Sequence, residues 1–280
     1  MTQAWKQLSP SIVHRLAFGP VYGLTDVGVV RQSNEDNFLI DPELRLVAVA
    51  DGMGGHEDGE IAAHLALSAL RAALPAADPQ PIRGDESSAD VTLDPDATWQ
   101  DEDMAALLAA HQAVEQANAR VHDANLGNGH DEGAGMGATL TGFWQCRPGG
   151  PLVVFHVGDS RLYRCRGGEV AVLTRDQTLY QQALEAGVGE DLPPRNLLLQ
   201  AIGPTAVVTP DVELCAARPG DLYLLCSDGL YGSTPHAAIA QALAHADAGS
   251  LDACCAELIA LAKTHGSRDN ITAVLALVEN

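Results

Sequence analysis

Three times in this chain an apolar run ends on an aspartate beside glycine. Leu46-Val47-Ala48-Val49-Ala50 runs into Asp51-Gly52, Val153-Val154-Phe155-His156-Val157 into Gly158-Asp159, and Tyr223-Leu224-Leu225-Cys226-Ser227 into Asp228-Gly229. A fourth aspartate, Asp269, stands with Asn270 immediately before the apolar stretch Ile271–Val278. Such runs, bounded by Gly, Asp and Asn, read as strands. A single Asp-Gly pair is ordinarily a tight turn. Four carboxylates at strand rims are a different matter, because the strand holds each one rigidly while its tip reaches outward. Carboxylates brought together repel one another and raise each other's pKa unless positive charge stands among them. The chain is therefore expected to build a site that holds a divalent cation. An all-oxygen ligand set, with no Cys or His at ligand spacing, favours Mg²⁺ or Mn²⁺ over Zn²⁺.

Two further strings belong with this cluster. Gly52 and Gly54-Gly55 follow Asp51, and glycine lets the backbone approach an ion closely, so the Gly52 carbonyl is a candidate ligand. Arg31-Gln32-Ser33-Asn34-Glu35-Asp36-Asn37 sets an arginine beside two more acids. A guanidinium next to a hard-metal cluster suits a dianionic substrate, since its planar fork binds phosphate through two parallel donors. In isolation Arg31 would read as a solvated surface charge.

The element order gives the fold class. Strands are expected at Val21–Val27, Phe38–Ile40, Leu44–Ala50, Ala138–Cys146, Leu152–Val157, Leu162–Cys165, Val212–Cys215, Asp221–Cys226 and Ile271–Val278. Met104, Leu107, Leu108, His111, Val114, Asn118 and Val121 recur at helical spacing, with acids placed in the first turn. Ile61, Leu65 and Ala69 mark a helix after the Gly-rich loop, and Leu251, Cys254, Cys255, Leu258 and Ala262 mark another. Thr234-Pro235 reads as an N-cap followed by proline in the first helical position. Strands cluster together and helices fall in two pairs around the middle strands. That order predicts an α+β fold of two stacked antiparallel sheets flanked by helices, not an alternating parallel sheet.

At 280 residues the chain suits a single domain, 1–280, with a core over about 21–280. Residues 78–103 hold nine acids against the single base Arg83, so about 75–100 reads as an exposed acidic insertion, a solvated and disordered spacer. The formal charge of −21, from 37 acids against 16 bases, repels nucleic-acid phosphates and anionic membranes, which excludes both as partners. No apolar run reaches the roughly 18 residues that cross a bilayer, and residues 1–20 lack the continuous apolar stretch of a secretory signal. Six cysteines without CxxC pairs form neither a disulfide framework nor a zinc signature. They read as buried, reduced thiols of a cytoplasmic protein, and the protein is expected to be a monomer.

The ordered strings resemble the type 2C metal-dependent serine/threonine protein phosphatases in their bacterial form. Thr25-Asp26-Val27-Gly28 with Arg31 and Asn34-Glu35-Asp36 is similar to the family's first motif, and Ala50-Asp51-Gly52-Met53-Gly54-Gly55-His56 to its second. Met136-Gly137-Ala138-Thr139, Val157-Gly158-Asp159-Ser160-Arg161, Ser227-Asp228-Gly229-Leu230 and Arg268-Asp269-Asn270-Ile271-Thr272 follow in the family's order. Each string alone is weak, but the ordered set, from about Tyr22 onward, is specific.

The resemblance implies a four-layer α-β-β-α sandwich with a binuclear Mg²⁺ or Mn²⁺ centre at one end. Asp51 would bridge two metals, the Gly52 carbonyl would join one, and Asp228 and Asp269 would complete the other. Glu35 and Asp36 would bind metal waters or orient ligands, Asn270 would support them, and Asp159 with Asp228 would form a weaker third position. Arg31 would hold the substrate phosphate while a metal-activated water attacks. The implied substrates are phosphoserine and phosphothreonine proteins, and the implied partners are a serine/threonine kinase and its targets, including those controlling a secretion system, or a phosphorylated anti-sigma antagonist.

There are departures. Met53 stands where eukaryotic relatives carry a histidine as the proposed acid, which leaves His56 or a metal water for that role. Gln177 stands where relatives often carry histidine. His156, in an apolar strand, reads as a hydrogen-bonded core residue. The stretch Ala183–Gly203 resembles the family's variable flap beside the site. Two other functions compete with this one: a regulatory relative that binds phosphoproteins without catalysis, and a hydrolase of small phosphate esters.

Overall fold

A strand that is apolar at every position is buried on both faces, and its odd and even side chains then enter two different cores. In the computed structural model, which describes residues 7–54, 57–75 and 97–279, strands of both sheets do this. From Leu46–Met53 (the fourth strand), Val47 and Val49 point between the sheets while Leu46, Ala48 and Ala50 face helices. Tyr223 and Leu225 alternate in the same way with Leu222 and Leu224, and Val274 and Ala276 with Ala273 and Leu275.

The elements in chain order are β1 (His14–Leu16), β2 (Gly19–Asp26), β3 (Asp36–Asp41), β4 (Leu46–Met53), α1 (Glu57–Ala73), α2 (Ala97–Gly127), β5 (Gly137–Ala138), β6 (Leu140–Trp144) and β7 (Leu152–Val157). They continue with β8 (Arg161–Arg166), β9 (Glu169–Val172), α3 (Leu179–Glu185), β10 (Asp211–Cys215), β11 (Leu222–Cys226), α4 (Asp228–Tyr231), α5 (His236–Leu243), α6 (Leu251–Thr264) and β12 (Ile271–Leu277). One sheet runs β1-β2-β12-β11-β8-β9. The other runs β10-β7-β6-β4-β3, with β5 continuing alongside β4. All pairings are antiparallel.

Three cores make the four layers. One fills the space between the sheets, where the rings of Phe18, Phe143 and Tyr223 pack at centroid distances of 5.8 and 5.6 Å. A second joins the β4 sheet to α1 and α2, and a third joins the β11 sheet to α5 and α6. The two antiparallel sheets flanked by helices are thus present as the strand order predicts. Among the described residues no helix is long and apolar enough to cross a membrane. All six cysteines are free thiols, five of them buried.

Several local expectations are corrected. Helix α2 starts at Ala97, so Asp101, Glu102 and Asp103 lie beyond its first turn. Met104 and Leu108 are exposed, and Ala106, Ala110, Ala113 and Ala117 are buried in their place. Small side chains let α2 lie close against α1, whose buried face is Ala62, Ala63, Ala66, Leu67 and Leu70, leaving Ile61, Leu65 and Ala69 half-buried. Helix α5 begins at His236 with Pro235 in the cap position, because the Thr234 N–H closes the preceding turn on the Leu230 carbonyl. The core also starts before residue 21: Leu16 and Phe18 are buried between the sheets and β1 adds an edge strand. Of the acidic insertion, 76–96 lie outside the described residues, and 97–100 belong to α2.

Phe143 sits at the centre of the inter-sheet aromatic row with no exposure. Phe143→Ala is expected to cost about 3–5 kcal/mol, read as a lower urea midpoint at unchanged slope in equilibrium unfolding.

Candidate metal centre

The sheet register brings the acids to one end of the sandwich. Asp51 lies near the end of strand β4, directly opposite Asp36 of β3. Asp159 occupies the turn between β7 and β8, Asp228 opens α4 straight after β11, and Asp269 precedes β12. Asp51, Asp159, Asp228 and Asp269 line one cleft of about 320 Å³, together with Arg31 and Glu35. Asp36 and Asn270 stand behind that lining.

Hydrogen bonds fix each of these groups. The Asp51 N–H donates to Thr139 Oγ1 and its carbonyl accepts the Thr139 N–H, both at 2.9 Å. Thr139 Oγ1 also shares a 2.7 Å hydrogen bond with Ser160 Oγ. The Gly52 N–H donates to the Glu35 carbonyl at 3.2 Å, and a Cβ at Gly52 would lie 2.1 Å from the Gly59 carbonyl oxygen. Only glycine lets α1 approach β4 this closely. Asp36 Oδ2 accepts from Ser227 Oγ at 2.7 Å and Thr272 Oγ1 at 2.6 Å, so an acid of one sheet is held by hydroxyls of the other. Its Oδ1 is buried without a hydrogen-bond partner. Asn270 donates to the carbonyls of Val27 and Ser33 at 3.0 and 2.9 Å and accepts from the Glu35 N–H at 2.9 Å, which ties the Arg31 loop to β12. Arg31 Nη2 donates to Asp269 Oδ2 at 2.7 Å, with both side chains partly exposed.

Burial and mutual repulsion govern the electrostatics. Burial, then the charges of Asp36, Asp228, Asp159 and Asp269, push Asp51 well above the carboxylate range. Asp36 rises to about 7 through burial and the nearby Asp228 and Asp269, although its two hydroxyl donors pull the other way. Asp159 rises to about 7 through burial, Asp228 and Asp176. Asp228 rises to about 6, burial again leading and Asp269 following.

This donor set fits a hard divalent cation. All the groups are oxygens, they are paid for in repulsion, and one buried acceptor has no donor. Among the described residues no three Asp, Glu, His or Cys groups close into a ready cage. Mg²⁺-type ions suit such a cleft because they keep several waters and take only one or two carboxylates.

The structure adds residues that the sequence did not single out. Asn196 and Leu198 reach the cleft from the segment after α3. They fall in the stretch Ala183–Gly203 that was expected beside the site, but which of its residues reach the cleft depends on how that segment folds back. His156 is the core residue expected: Nε2 donates to the Arg175 carbonyl at 3.0 Å, Nδ1 accepts from Thr141 at 2.8 Å, and burial lowers its pKa. His56, considered for the acid role, lies outside the described residues.

Comparison with known proteins bears on the same residues. A profile of the family described as protein phosphatase 2C matches residues 29–276. The serine/threonine protein phosphatase PstP of Mycobacterium tuberculosis is 33% identical over 90% of this chain, and the chain spans 43% of that relative's length. A crystal structure of the catalytic domain of PstP in complex with two manganese ions superimposes with a TM-score of 0.70 at 31% identity, covering 93% of this chain and 98% of that one. The structure of PppA of Pseudomonas aeruginosa, described as a key regulatory component of T6SS, gives a TM-score of 0.71 at 30% identity, covering 91% of this chain and 95% of that one.

The raised carboxylates predict a pH effect in chelator-treated protein. Asp159 titrates near 4 when unfolded and at about 7 when folded. Its contribution to stability is thus intact below about pH 4 and is lost as pH rises through about 7. Asp159→Asn, which cannot ionise, is expected to gain melting temperature relative to wild type progressively across that window, measured by thermal unfolding in EDTA.

Proposed function

Because the chain belongs to the protein phosphatase 2C family, we propose that it is a metal-dependent phosphoprotein phosphatase acting on phosphoserine and phosphothreonine, with 1–280 as one catalytic domain. The observation that carries this reading is the convergence of Asp51, Asp159, Asp228, Asp269 and Arg31 on one cleft. Asp51, the Gly52 carbonyl, Asp228 and Asp269 would hold two Mn²⁺ or Mg²⁺ ions, and Asp159 with Asp228 a third, weaker one. When bound, these ions act as Lewis acids and lower the pKa of water so that it can attack phosphorus.

The chain's own side chains do the rest. Arg31 lies at the cleft rim with nearly half its side chain exposed, so its guanidinium can leave Asp269 for an incoming phosphate. There it offers two parallel donors and offsets charge on the equatorial oxygens as the transition state forms. Glu35 and Asp36 orient the ligands and their waters. Asn270 keeps Glu35 and the Arg31 loop in register with Asp269. The described residues lining the cleft include no imidazole, and the proton for the departing alkoxide would come from His56 or a metal-bound water.

The substrates are phosphorylated proteins, a serine/threonine kinase and its targets among them, and the enzyme acts as a cytoplasmic monomer. The relative from Pseudomonas makes regulators of a secretion machine one class of target to test. All four rim aspartates are kept, which argues against a non-catalytic regulator.

Phosphate release from a phosphothreonine peptide is expected to require Mn²⁺ or Mg²⁺. Asp228→Ala is expected to lower it at least about hundredfold. Folded wild-type protein that released no phosphate with either ion would remove the enzyme reading, and release confined to small phosphate esters would redirect it to a metabolite hydrolase.

A further inference from the structure

Gln177 joins two parts of the molecule that meet at the cleft. Its backbone N–H donates to the Gly158 carbonyl at 2.8 Å, and its side-chain Oε1 accepts the Gly158 N–H at 2.8 Å. Gly158 has φ +104°, and a Cβ there would lie 2.7 Å from Thr139 Cγ2. The turn that delivers Asp159 to the cleft is therefore a glycine turn clasped on both polar groups by one residue. On its far side Ser160 bonds Thr139, which bonds Asp51.

The same glutamine anchors the chain that covers the cleft. Its Oε1 also accepts from Gln200 Nε2 at 3.0 Å, and its carbonyl accepts the Leu199 N–H at 2.8 Å. Gln200 is held to the Thr209 N–H and carbonyl at 3.0 and 2.7 Å, and Gln177 Nε2 donates to Asp211 Oδ2 at 2.9 Å. Residues 178–200 leave and return at this point, with Thr178 bridged to Leu198 and the Leu179 N–H bonded to Leu197. This segment carries Asn196 and Leu198 to the cleft. Gln177 itself is 5% exposed, and both ends of its amide are engaged.

We infer that Gln177 is a positioning residue: it references the 178–200 segment to the Asp159 turn and so sets how a phosphoprotein is held against the cleft. A neutral amide suits the task, since it accepts and donates at once and does not titrate. The role in substrate binding rests on the phosphatase reading, whereas the clasp rests on the hydrogen bonds alone.

The test compares wild type with Gln177→Ala and Gln177→His in the full chain with Mn²⁺. A phosphothreonine peptide and a small aryl phosphate ester serve as substrates, and amide hydrogen exchange is followed in parallel without metal. In Gln177→Ala the peptide KM is expected to rise about tenfold with kcat within about threefold, the pattern of lost uniform binding. The KM for the small ester should rise less, because it needs less of the segment. Amides in 178–200 should exchange faster while those of β4 and β11 stay protected. Gln177→His, whose imidazole offers one acceptor and one donor, should recover most of both effects. An unchanged peptide KM with unchanged exchange would overturn the inference, and so would a loss of kcat at constant KM. Wild type inactive on both substrates would remove the phosphatase reading, and the exchange comparison would still decide the clasp.

Discussion

Like charges gathered in a low-dielectric place are the constraint around which this molecule is arranged. Two unit charges about 4 Å apart repel by roughly 4 kcal/mol at an effective dielectric of 20. Here five acids, Glu35, Asp51, Asp159, Asp228 and Asp269, share one cleft, with a sixth, Asp36, buried behind it. Their pKa values rise because burial and neighbours disfavour ionisation. A flexible chain would relieve such repulsion by moving the carboxylates apart. Strands buried on both faces do not allow this, since each rim acid continues a backbone locked into two cores. The apolar layers thus hold in place a cluster of acids whose burial and mutual repulsion oppose ionisation.

The site is also where the two sheets are joined. Asp36 belongs to the β4 sheet, but its carboxylate is held by Ser227 and Thr272 of the other. Asn270, at the start of β12, fixes the loop that carries Arg31 and the residue Glu35 that precedes β3. Tyr231 of α4 donates to the Asp159 carbonyl across the same junction. Polar contacts therefore set the relative position of the sheets at this end, and the aromatic row of Phe18, Phe143 and Tyr223 sets it within the core. Geometry at the cleft and packing of the sandwich are one problem, because a slip of one sheet would separate Asp51 from Asp228.

Strands were read well where both faces are apolar. β7 falls on the expected Leu152–Val157, and β11 and β12 within a residue at each end. Weak patterns were lost: β1, His14-Arg15-Leu16, and β9, Glu169-Val170-Ala171-Val172, are short edge strands whose pairing comes from their neighbours. The α2 face was misjudged because Met104 and Leu108 carry more apolar area than the alanines, yet close helix packing selects small residues. At the cleft, the rim aspartates, Arg31 and Glu35 were all identified beforehand, since strand ends and glycine leave a local trace. The stretch Ala183–Gly203 was expected beside the cleft, but Asn196, Leu198 and the clasp at Gln177 were not picked out within or next to it, because no local pattern says which residues a folded-back segment presents.

What the sequence by itself determined is the chemistry on offer: which strands are buried on both faces, and that a hard oxygen donor stands at the rim of each, beside glycine in three cases and beside Asn270 in the fourth. Those facts follow from periodicity and residue type, which are local. Only the tertiary structure decided which ends meet. Asp51 and Asp228 come from different sheets and are 177 positions apart in the chain, and Asp36 reaches 236 positions to Thr272. Contacts of that span depend on how two sheets stack, and stacking is settled by the summed fit of the cores between them, which no short stretch of sequence contains.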